Sequence, residues 1–395
     1  METKSAKRVF ITGIDGYIGW ALANFLIEKG YIVTGIDNLL RREMVCGKMG
    51  SGSLFPIASP EERSKKIPFK KMSTMDYAEL KEFIKDFKPD AIVHLGEQPS
   101  APFSMRSHED SYKTQEWNIL GTLNLLWIMR EVCPDAHLVK LGSMTVYGSP
   151  DFEIPESGDP YPYDPASFYH ISKAADSINT RKCAQWWNLR TSDVHQGVVY
   201  GHMYDTRFDY DQCFGTVLNR FITQALSNHP LTVYGSGGQS RGFIYLQNSV
   251  ECLELAIRNP AKKGEYRVFN QLTEKFPIIE IARLVSSVTG AKIEHLENPR
   301  IEKESHQYKI VHKALLKLGL KPIFMKDVIT KIIDAVAPYK NKINKNVIMP
   351  TTGWRVGTGI NDIKHENKTE EIAVPVPIET EEKQDLEHTQ SILQS

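Results

Sequence analysis

The chain opens on a short apolar run, residues 8–12 (RVFIT), that ends in glycines. Apolar positions from 17 to 29 then recur at helical spacing, and a second apolar run fills 31–36. Strand, helix and strand in that order predict a βαβ unit. The alternation continues, with strands predicted at 91–95, 137–141 and 193–199, a helix over 118–131 and another helical stretch ahead of the last strand. Strands alternating with helices predict an α/β fold, a Rossmann doubly wound parallel sheet with helices on both faces. Between 39 and 71 the pattern breaks into Gly, Ser, Pro and charge, too long for an ordinary connection, and is expected to form a lid or a disordered insertion, with the lid favoured. Past residue 201 the pattern is mixed, with helices expected near 214–227, 246–257 and 277–289. Residues 1–200 are thus expected to hold the sheet domain. Residues 201–354 should form mainly a smaller mixed α/β substrate-binding domain, with crossings back to the sheet. The stretch 365–395, with eight acidic against two basic side chains, reads as a flexible, solvated tail.

Composition narrows the class. A chain of 395 residues with 41% hydrophobic content can bury a large core and suggests two or three domain-sized units. Lys plus Arg and Asp plus Glu number 48 each, which argues against a chain-wide nucleic-acid or anionic-membrane binder and makes any anion site local. No apolar segment approaches the ~20 residues that span a bilayer, and no run of signal-peptide length precedes the first strand, so the expected location is cytoplasmic. Five cysteines, odd in number and never in CxxC spacing, predict reduced, buried thiols and no metal site.

Candidate chemistry begins at Gly13, Gly16 and Gly19, three glycines at GxxGxxG spacing between a predicted strand and a predicted helix. Gly13 would allow the tight turn, Gly16 the close approach of a pyrophosphate, and Gly19 close packing of helix on sheet. Asp37 ends the second strand, where a carboxylate accepts hydrogen bonds from an adenosine ribose. Arg41 and Arg42 could instead meet a 2′-phosphate, but Asp37 would repel that group, which favours NAD over NADP.

Tyr169 and Lys173 lie four residues apart and share one helix face. A nearby ammonium is expected to lower the tyrosine pKa, so that the phenolate can take a proton from a sugar hydroxyl as hydride leaves for nicotinamide. Tyr77 and Lys81 repeat the spacing in a segment that reads as a surface helix, so context decides. The deciding context is 141–148 (LGSMTVYG), which puts Ser143 at a strand C-terminus, where open α/β sheets gather ligand-binding residues.

The glycines, the SxTVYG string and YxxxK, in this order, resemble the extended short-chain dehydrogenases that bind nucleotide sugars. The resemblance implies Ser143, Tyr169 and Lys173 as the catalytic set. It implies NAD held by Gly13, Asp15, Gly16, Tyr17, Ile18, Gly19, Asp37, Asn38, Arg41, Ser73, Thr74, Leu95, Gly96 and Asn118, with Tyr169 and Lys173. Longer strings at 94–98 (HLGEQ), 100–105 (SAPFSM), 196–201 (QGVVYG), 208–211 (FDYD), 214–221 (FGTVLNRF), 231–235 (LTVYG) and 298–300 (NPR), with His306, resemble the UDP-sulfoquinovose synthase family up to about residue 354.

That family resemblance implies oxidation of UDP-glucose at C4, loss of water across C5 and C6, addition of sulfite at C6 and reduction of C4 by the same cofactor. The 4-ketone acidifies the C5 proton and makes C6 an acceptor for a soft anion. Glu97 and His170 become candidates for the C5/C6 end. Gln98, Ser100, Met144, Gln196, Thr216, Arg220, Val233, Arg241, Arg300 and His306 become candidate substrate contacts, the arginines for the diphosphate. The resemblance further implies a homodimer or homotetramer paired through the helices at 118–131 and 167–185, and a product that feeds glycolipid or glycan synthesis.

Two strings depart from the family. Its plant members carry an arginine where Pro99 stands, so another cation, Arg106 or one in the 39–71 stretch, must serve the sulfite. Residues 71–76 (KMSTMD) replace the usual Gly-Asp-Ile of the adenine pocket. From the residues alone, a UDP-sugar 4-epimerase, a 4,6-dehydratase and a non-catalytic nucleotide-binding scaffold remain open.

Overall fold

In the computed structural model, alternating residues of the first strands send apolar side chains to opposite faces of one sheet. Val9 and Ile11 point one way, with Val93, Val139 and Val194, and meet Trp20, Leu22 and Leu26 of helix Tyr17–Glu28 and Val250 and Leu253 of helix Leu246–Arg258. Phe10, Ile92 and Leu138 point the other way, onto Leu80 and Ile84 of helix Tyr77–Phe87 and Leu125 and Met129 of helix Gly121–Val132. Each aliphatic side chain buried so contributes about 1.5–3 kcal/mol. The structure describes residues 7–46, 54–148, 153–158, 163–211, 213–300, 309–349 and 365–369.

The strands are β1 (Arg8–Thr12), β2 (Ile32–Asp37), β3 (Phe69–Lys71), β4 (Ala91–His94), β5 (His137–Ser143), β6 (Arg190–Gln196), β7 (Val198–Tyr200), β8 (Leu231–Tyr234), β9 (Ser240–Tyr245), β10 (Tyr266–Gln271), β11 (Glu274–Pro277), β12 (Ile293–Leu296) and β13 (His365–Thr369). Seven form one parallel sheet in the order β10-β6-β5-β4-β1-β2-β3. The strand order reverses between β1 and β4, so the crevice at their C-terminal ends is where an open α/β sheet takes its ligand.

The expected strand 193–199 is two strands. The break falls at Gly197, where a Cβ would lie 2.6 Å from the Gly242 carbonyl oxygen, and β7 passes into a second sheet, β11-β9-β7. A third sheet, β13-β12-β8, completes the C-terminal part. Its core holds Phe208, Phe221, Ile281, Val285 and Ile329. Helix Leu246–Arg258 and β10 are the crossings back to the main sheet.

Two expectations change here. The 39–71 stretch holds helices Leu40–Cys46 and Pro60–Lys66 and edge strand β3, and Leu54 and Phe55 are buried in the C-terminal core. Ser59 and Glu62 form a reciprocal capping box that starts the second of these helices. Its described part is therefore built into the fold. His365–Thr369, expected as the start of a flexible tail, runs antiparallel to β12; residues 370–395 lie outside the described ones. All five cysteines are free, but Cys46 is exposed and Cys133 and Cys213 are half-buried; only Cys183 and Cys252 are buried.

Candidate active site

Gly13 follows β1 at φ +75°, and a Cβ there would lie 2.7 Å from the Leu95 backbone, so only glycine lets the β1 and β4 loops meet. A Cβ on Gly19 would lie 2.0 Å from the Gly13 carbonyl oxygen. Gly16 caps helix Tyr17–Glu28 with no side-chain partner, so the first-turn amides remain for an anion. Gly13, Gly16, Tyr17, Ile18 and Gly19 all line a cavity of about 440 Å³ that runs along the strand ends.

Asp37, Asn38, Arg41, Ser73, Thr74, Leu95 and Gly96 line the same cavity. The Asp37 carboxylate accepts from the Asp15 amide at 2.9 Å and the Leu39 amide at 2.7 Å. Burial, with the Asp15 charge, pushes its pKa up to about 6. Uncapped helix N-terminus, positive-φ glycine turn and strand-end carboxylate together fit a dinucleotide. Ser73 and Thr74 stand where the adenine pocket is expected.

Asp15 does not join this lining. Its carboxylate is buried and meets Arg42 at 2.7 Å, Arg63 at 2.8 Å and Arg207 at 3.5 Å, which makes it a lock between the glycine loop and two distant segments. Arg41 is engaged as well, pairing with Asp209 at 2.7 Å and lying 3.4 Å from the Phe214 ring centroid. Asn118 is fully buried in a π-helical turn, Glu116–Leu120, behind the cavity wall. Its amide accepts from the Gln98 backbone at 2.7 Å and donates to the Gln98 carbonyl and to Ser172, so it shapes the loop after β4. An inserted turn of this kind re-aims side chains beside functional sites.

At the other end of the cavity, Ser143 closes β5 and its hydroxyl hydrogen-bonds Thr145 at 2.6 Å and the Tyr169 phenol. Ser167 caps helix Phe168–Trp187, which carries Tyr169, His170 and Lys173 to the cavity. Lys173 donates to the Leu141 carbonyl at 2.5 Å and to Glu97 at 2.6 Å. The expectation that Lys173 lowers the Tyr169 pKa does not hold. Burial holds the phenol above its usual value, the Glu97 charge adds to this, and the Ser143 bond and Lys140 pull it back. A lysine already neutralised by a carboxylate has little field left for its neighbour.

Burial also drives His170 down, to about 3, helped by the positive fields of Arg300 and Arg241. The imidazole is therefore neutral near pH 7, and its Nδ1 has no protein partner among the described residues. Glu97 lines the cavity, and its pKa is lowered: burial raises it, but Lys173, His94 and Lys140 outweigh that.

Met144, Gln98, Ser100, Gln196, Thr216 and Arg241 line the cavity as well. Gln98 donates its amide to Ser100 in its own loop and to Thr114 of helix His108–Gln115 at 2.8 Å, and Gln196 accepts from Ser249 at 2.7 Å. Val233 of β8 is fully buried, with its side chain in the C-terminal core and not on the cavity wall. Arg220 and Arg300 lie outside the cavity wall, 6.0 and 5.9 Å from the Tyr234 ring centroid. His306 lies outside the described residues. Arg106, expected as a replacement cation, pairs with Asp110 at 2.9 Å away from the wall; the cations on the wall are Arg41, Lys173 and Arg241.

Sequence reasoning missed Asp176 and Lys140, both fully buried beside Glu97 and Lys173. Asp176 sits three residues beyond Lys173, a spacing that puts it on the same helix face.

The family model described as the NAD dependent epimerase/dehydratase family matches residues 9–270. The chain is 42% identical to the chloroplastic UDP-sulfoquinovose synthase of Spinacia oleracea, over 90% of this chain and 80% of that one. It is 39% identical to the UDP-sulfoquinovose synthase of Sulfolobus acidocaldarius, over 88% and 98%. Among solved structures, the UDP-glucose 4-epimerase of Thermotoga maritima, crystallised with UDP-glucose, shares the fold at a TM-score of 0.68 and 21% identity, covering 85% of this chain and 99% of that one. The UDP-glucuronic acid 4-epimerase of Bacillus cereus, in complex with UDP-glucuronic acid and NAD, gives 0.64 at 19% identity, over 85% and 99%. The chain thus belongs to the NAD-dependent epimerase/dehydratase family and, within it, to the UDP-sulfoquinovose synthases.

Proposed function

We propose that this protein converts UDP-glucose and sulfite to UDP-sulfoquinovose through 4-keto and 4-keto-5-ene sugars. The observation that carries the reading is the convergence of Ser143, Tyr169, Lys173, Glu97 and His170 on one end of a cavity whose other end fits a dinucleotide. NAD, which the Gly13 and Gly16 loop and Asp37 would hold, would supply a hydride acceptor for C4 and the hydride that C4 regains at the end of the cycle. As the phenolate, Tyr169 takes the C4 hydroxyl proton and later gives it back, with Ser143 sharing the oxygen; the positive charge of an oxidised nicotinamide would oppose the burial that holds the phenol protonated. Neutral His170 is the base for the C5 proton; the C6 hydroxyl leaves with a proton as water. The proton that leaves with water is the one His170 took from C5; sulfite, as hydrogen sulfite, then adds its sulfur at C6 while its proton goes to C5, so atoms and charge balance.

Arg241 lines the sugar end, and its field and that of Arg300 both reach His170. Cations gathered near a histidine held neutral suit an anion, which here is the diphosphate or the sulfite. Arg241 therefore serves in place of the arginine that Pro99 replaces.

A second copy of the chain is the proposed partner. Leu120 and Trp127 on one helix and Ile171 and Ile178 on its neighbour are exposed, each pair seven residues apart and so on one face. Sedimentation should show a dimer or tetramer. Among the described residues no helix is long and apolar enough to cross a membrane, and a cytoplasmic location fits the chemistry.

The direct test is product analysis. UDP-glucose with sulfite should yield a sulfonated UDP-sugar by mass spectrometry, and none without sulfite. UDP-galactose or a 4-keto-6-deoxy sugar with no sulfonate would instead indicate an epimerase or dehydratase. Tyr169→Phe should cut turnover by roughly 10²- to 10⁴-fold while NAD stays bound; full activity in that variant would exclude the mechanism.

A further inference from the structure

Behind Tyr169 and Lys173 lies a buried set of ionisable groups. Lys140 reaches Asp193 at 3.3 Å, and Asp193 accepts from Ser177 at 2.7 Å and Tyr266 at 2.8 Å and meets His195 at 3.3 Å. Lys173 holds Glu97 at 2.6 Å. Asp176 completes the set. Two ammonium groups thus face three carboxyls: Asp176 and Asp193, which are fully buried, and Glu97, whose side chain is nearly so at the cavity wall. Lys140 and His195 meet Asp193 and Lys173 meets Glu97, so an ionised Asp176 would be a fully buried charge with no ion-pair partner of its own among the described residues, which is strongly unfavourable.

The pairings single out the carboxyl that carries the proton. Asp193 is surrounded by donors, and one Glu97 oxygen is held by Lys173. Both Asp176 oxygens and the second Glu97 oxygen, Oε1, are buried with no hydrogen-bond donor among the described residues, yet the two carboxyls are within hydrogen-bonding reach of each other. Two carboxylates cannot bond without a proton between them. One proton on Asp176 joins one of its oxygens to Glu97 Oε1, so that two of these three buried oxygens gain a partner.

We infer that Asp176 is a positioning residue of the catalytic centre, a neutral carboxylic acid that donates to Glu97 and so leaves Glu97 ionised to hold Lys173 against the Leu141 carbonyl. The inference deepens the proposed reaction and rests on it for its functional consequence. The groups facing Asp176 are Glu97 from the loop after β4, Lys140 from β5, and Lys173 and Tyr169 from its own helix. Burial favours its protonated state, the Glu97 charge adds to this, and the two lysines oppose it. An ionised Asp176 would push the Tyr169 phenol further up, away from the role of base.

The test uses the full chain labelled with ¹³C-aspartate. Infrared spectra at pH 8, above the value of about 6 for Asp37, should show a protonated aspartic acid carbonyl band that is absent from Asp176→Asn. An amide also donates to Glu97 and carries no charge, so Asp176→Asn should keep turnover within about threefold and keep the wild-type pH profile. Asp176→Leu leaves Glu97 one donor short and should lose roughly 10- to 100-fold in turnover with KM little changed. Absence of the band in the wild type, or a loss in Asp176→Asn as large as in Asp176→Leu, overturns the inference. The band does not depend on which sugar is processed, so it holds or fails independently of the sulfite reaction. If Asp176→Leu does not fold, the band and the asparagine variant decide.

Discussion

Two buried charge clusters flank one cavity, and they are built from different chemistry. At the nucleotide end a single carboxylate, Asp15, meets three guanidinium groups, from Arg42, Arg63 and Arg207. At the catalytic end three carboxyls share two lysines, with a phenol and imidazoles close by. Guanidinium stays charged at any working pH and presents a rigid fork, so the first cluster holds position and exchanges no proton near neutral pH. Ammonium, carboxyl, imidazole and phenol all exchange protons, so the second can do chemistry. The fold separates the two tasks by the side chains it buries.

Removing the centre of the first cluster should give the largest effect on stability. Asp15→Ala leaves Arg63 and Arg207, each with a side chain only 1% exposed, facing no carboxylate at that point. Breaking a buried pair in this way costs about 3–5 kcal/mol. Thermal melts should fall by on the order of 10 °C. The wild type carries the matching pH signature. Burial alone would raise the Asp15 pKa, but the bonds from Arg42 and the charges of Arg63, Arg42 and Arg207 bring it below the usual 3.8. Its contribution is therefore present above pH 3.8 and is lost as pH falls through the lower folded value. A melt of Asp15→Ala within a degree or two of wild type would show that the arginines hold the loop by other means.

A smaller effect should sharpen the boundary between the clusters. Asp37 lines the cavity close to the first cluster, but it titrates near pH 6 because burial and the Asp15 charge raise it. In the folded chain this favours the protonated acid, a contribution present below 3.8 and lost as pH rises through about 6. A ribose hydroxyl donates more strongly to the carboxylate than to the acid, by about 1 kcal/mol. NAD affinity, measured by calorimetry, should therefore weaken roughly fivefold as pH falls from 7 to 5. Asp37→Asn should flatten that dependence, and an unchanged slope in the variant would assign it to another group.

How much of this is legible in the sequence depends on the distance over which each signal acts. The first βαβ unit and the set Ser143, Tyr169 and Lys173 are legible because glycine offsets and helical spacing are local. The role of Asp15 is not, because Arg207, which also donates to its backbone carbonyl at 3.3 Å, lies 192 residues away. The stretch 39–71 reads as a lid for the same reason: Arg63 looks like a solvated charge until Asp15 and Asp205 close around it. Val233 fails differently. Its string matches the family, but a β8 residue pointing into the core supports the site from behind.

The smallest effect is expected where the sequence repeats the catalytic spacing. Tyr77 and Lys81 stand four apart on helix Tyr77–Phe87, as Tyr169 and Lys173 do on theirs. Both reach Glu131 of the neighbouring helix, Lys81 at 2.7 Å, and the lysine and glutamate side chains are each about a third exposed. The pair clamps two helices at the surface, where solvent screens it. Methionine at Lys173 would strand Glu97 in the interior; at Lys81 it strands nothing, because water solvates Glu131. Lys81→Met should therefore leave turnover unchanged and shift the melting temperature by less than about 2 °C. A large loss of activity in that variant would mean that spacing alone, without burial or the Glu97 partner, makes the catalytic pair.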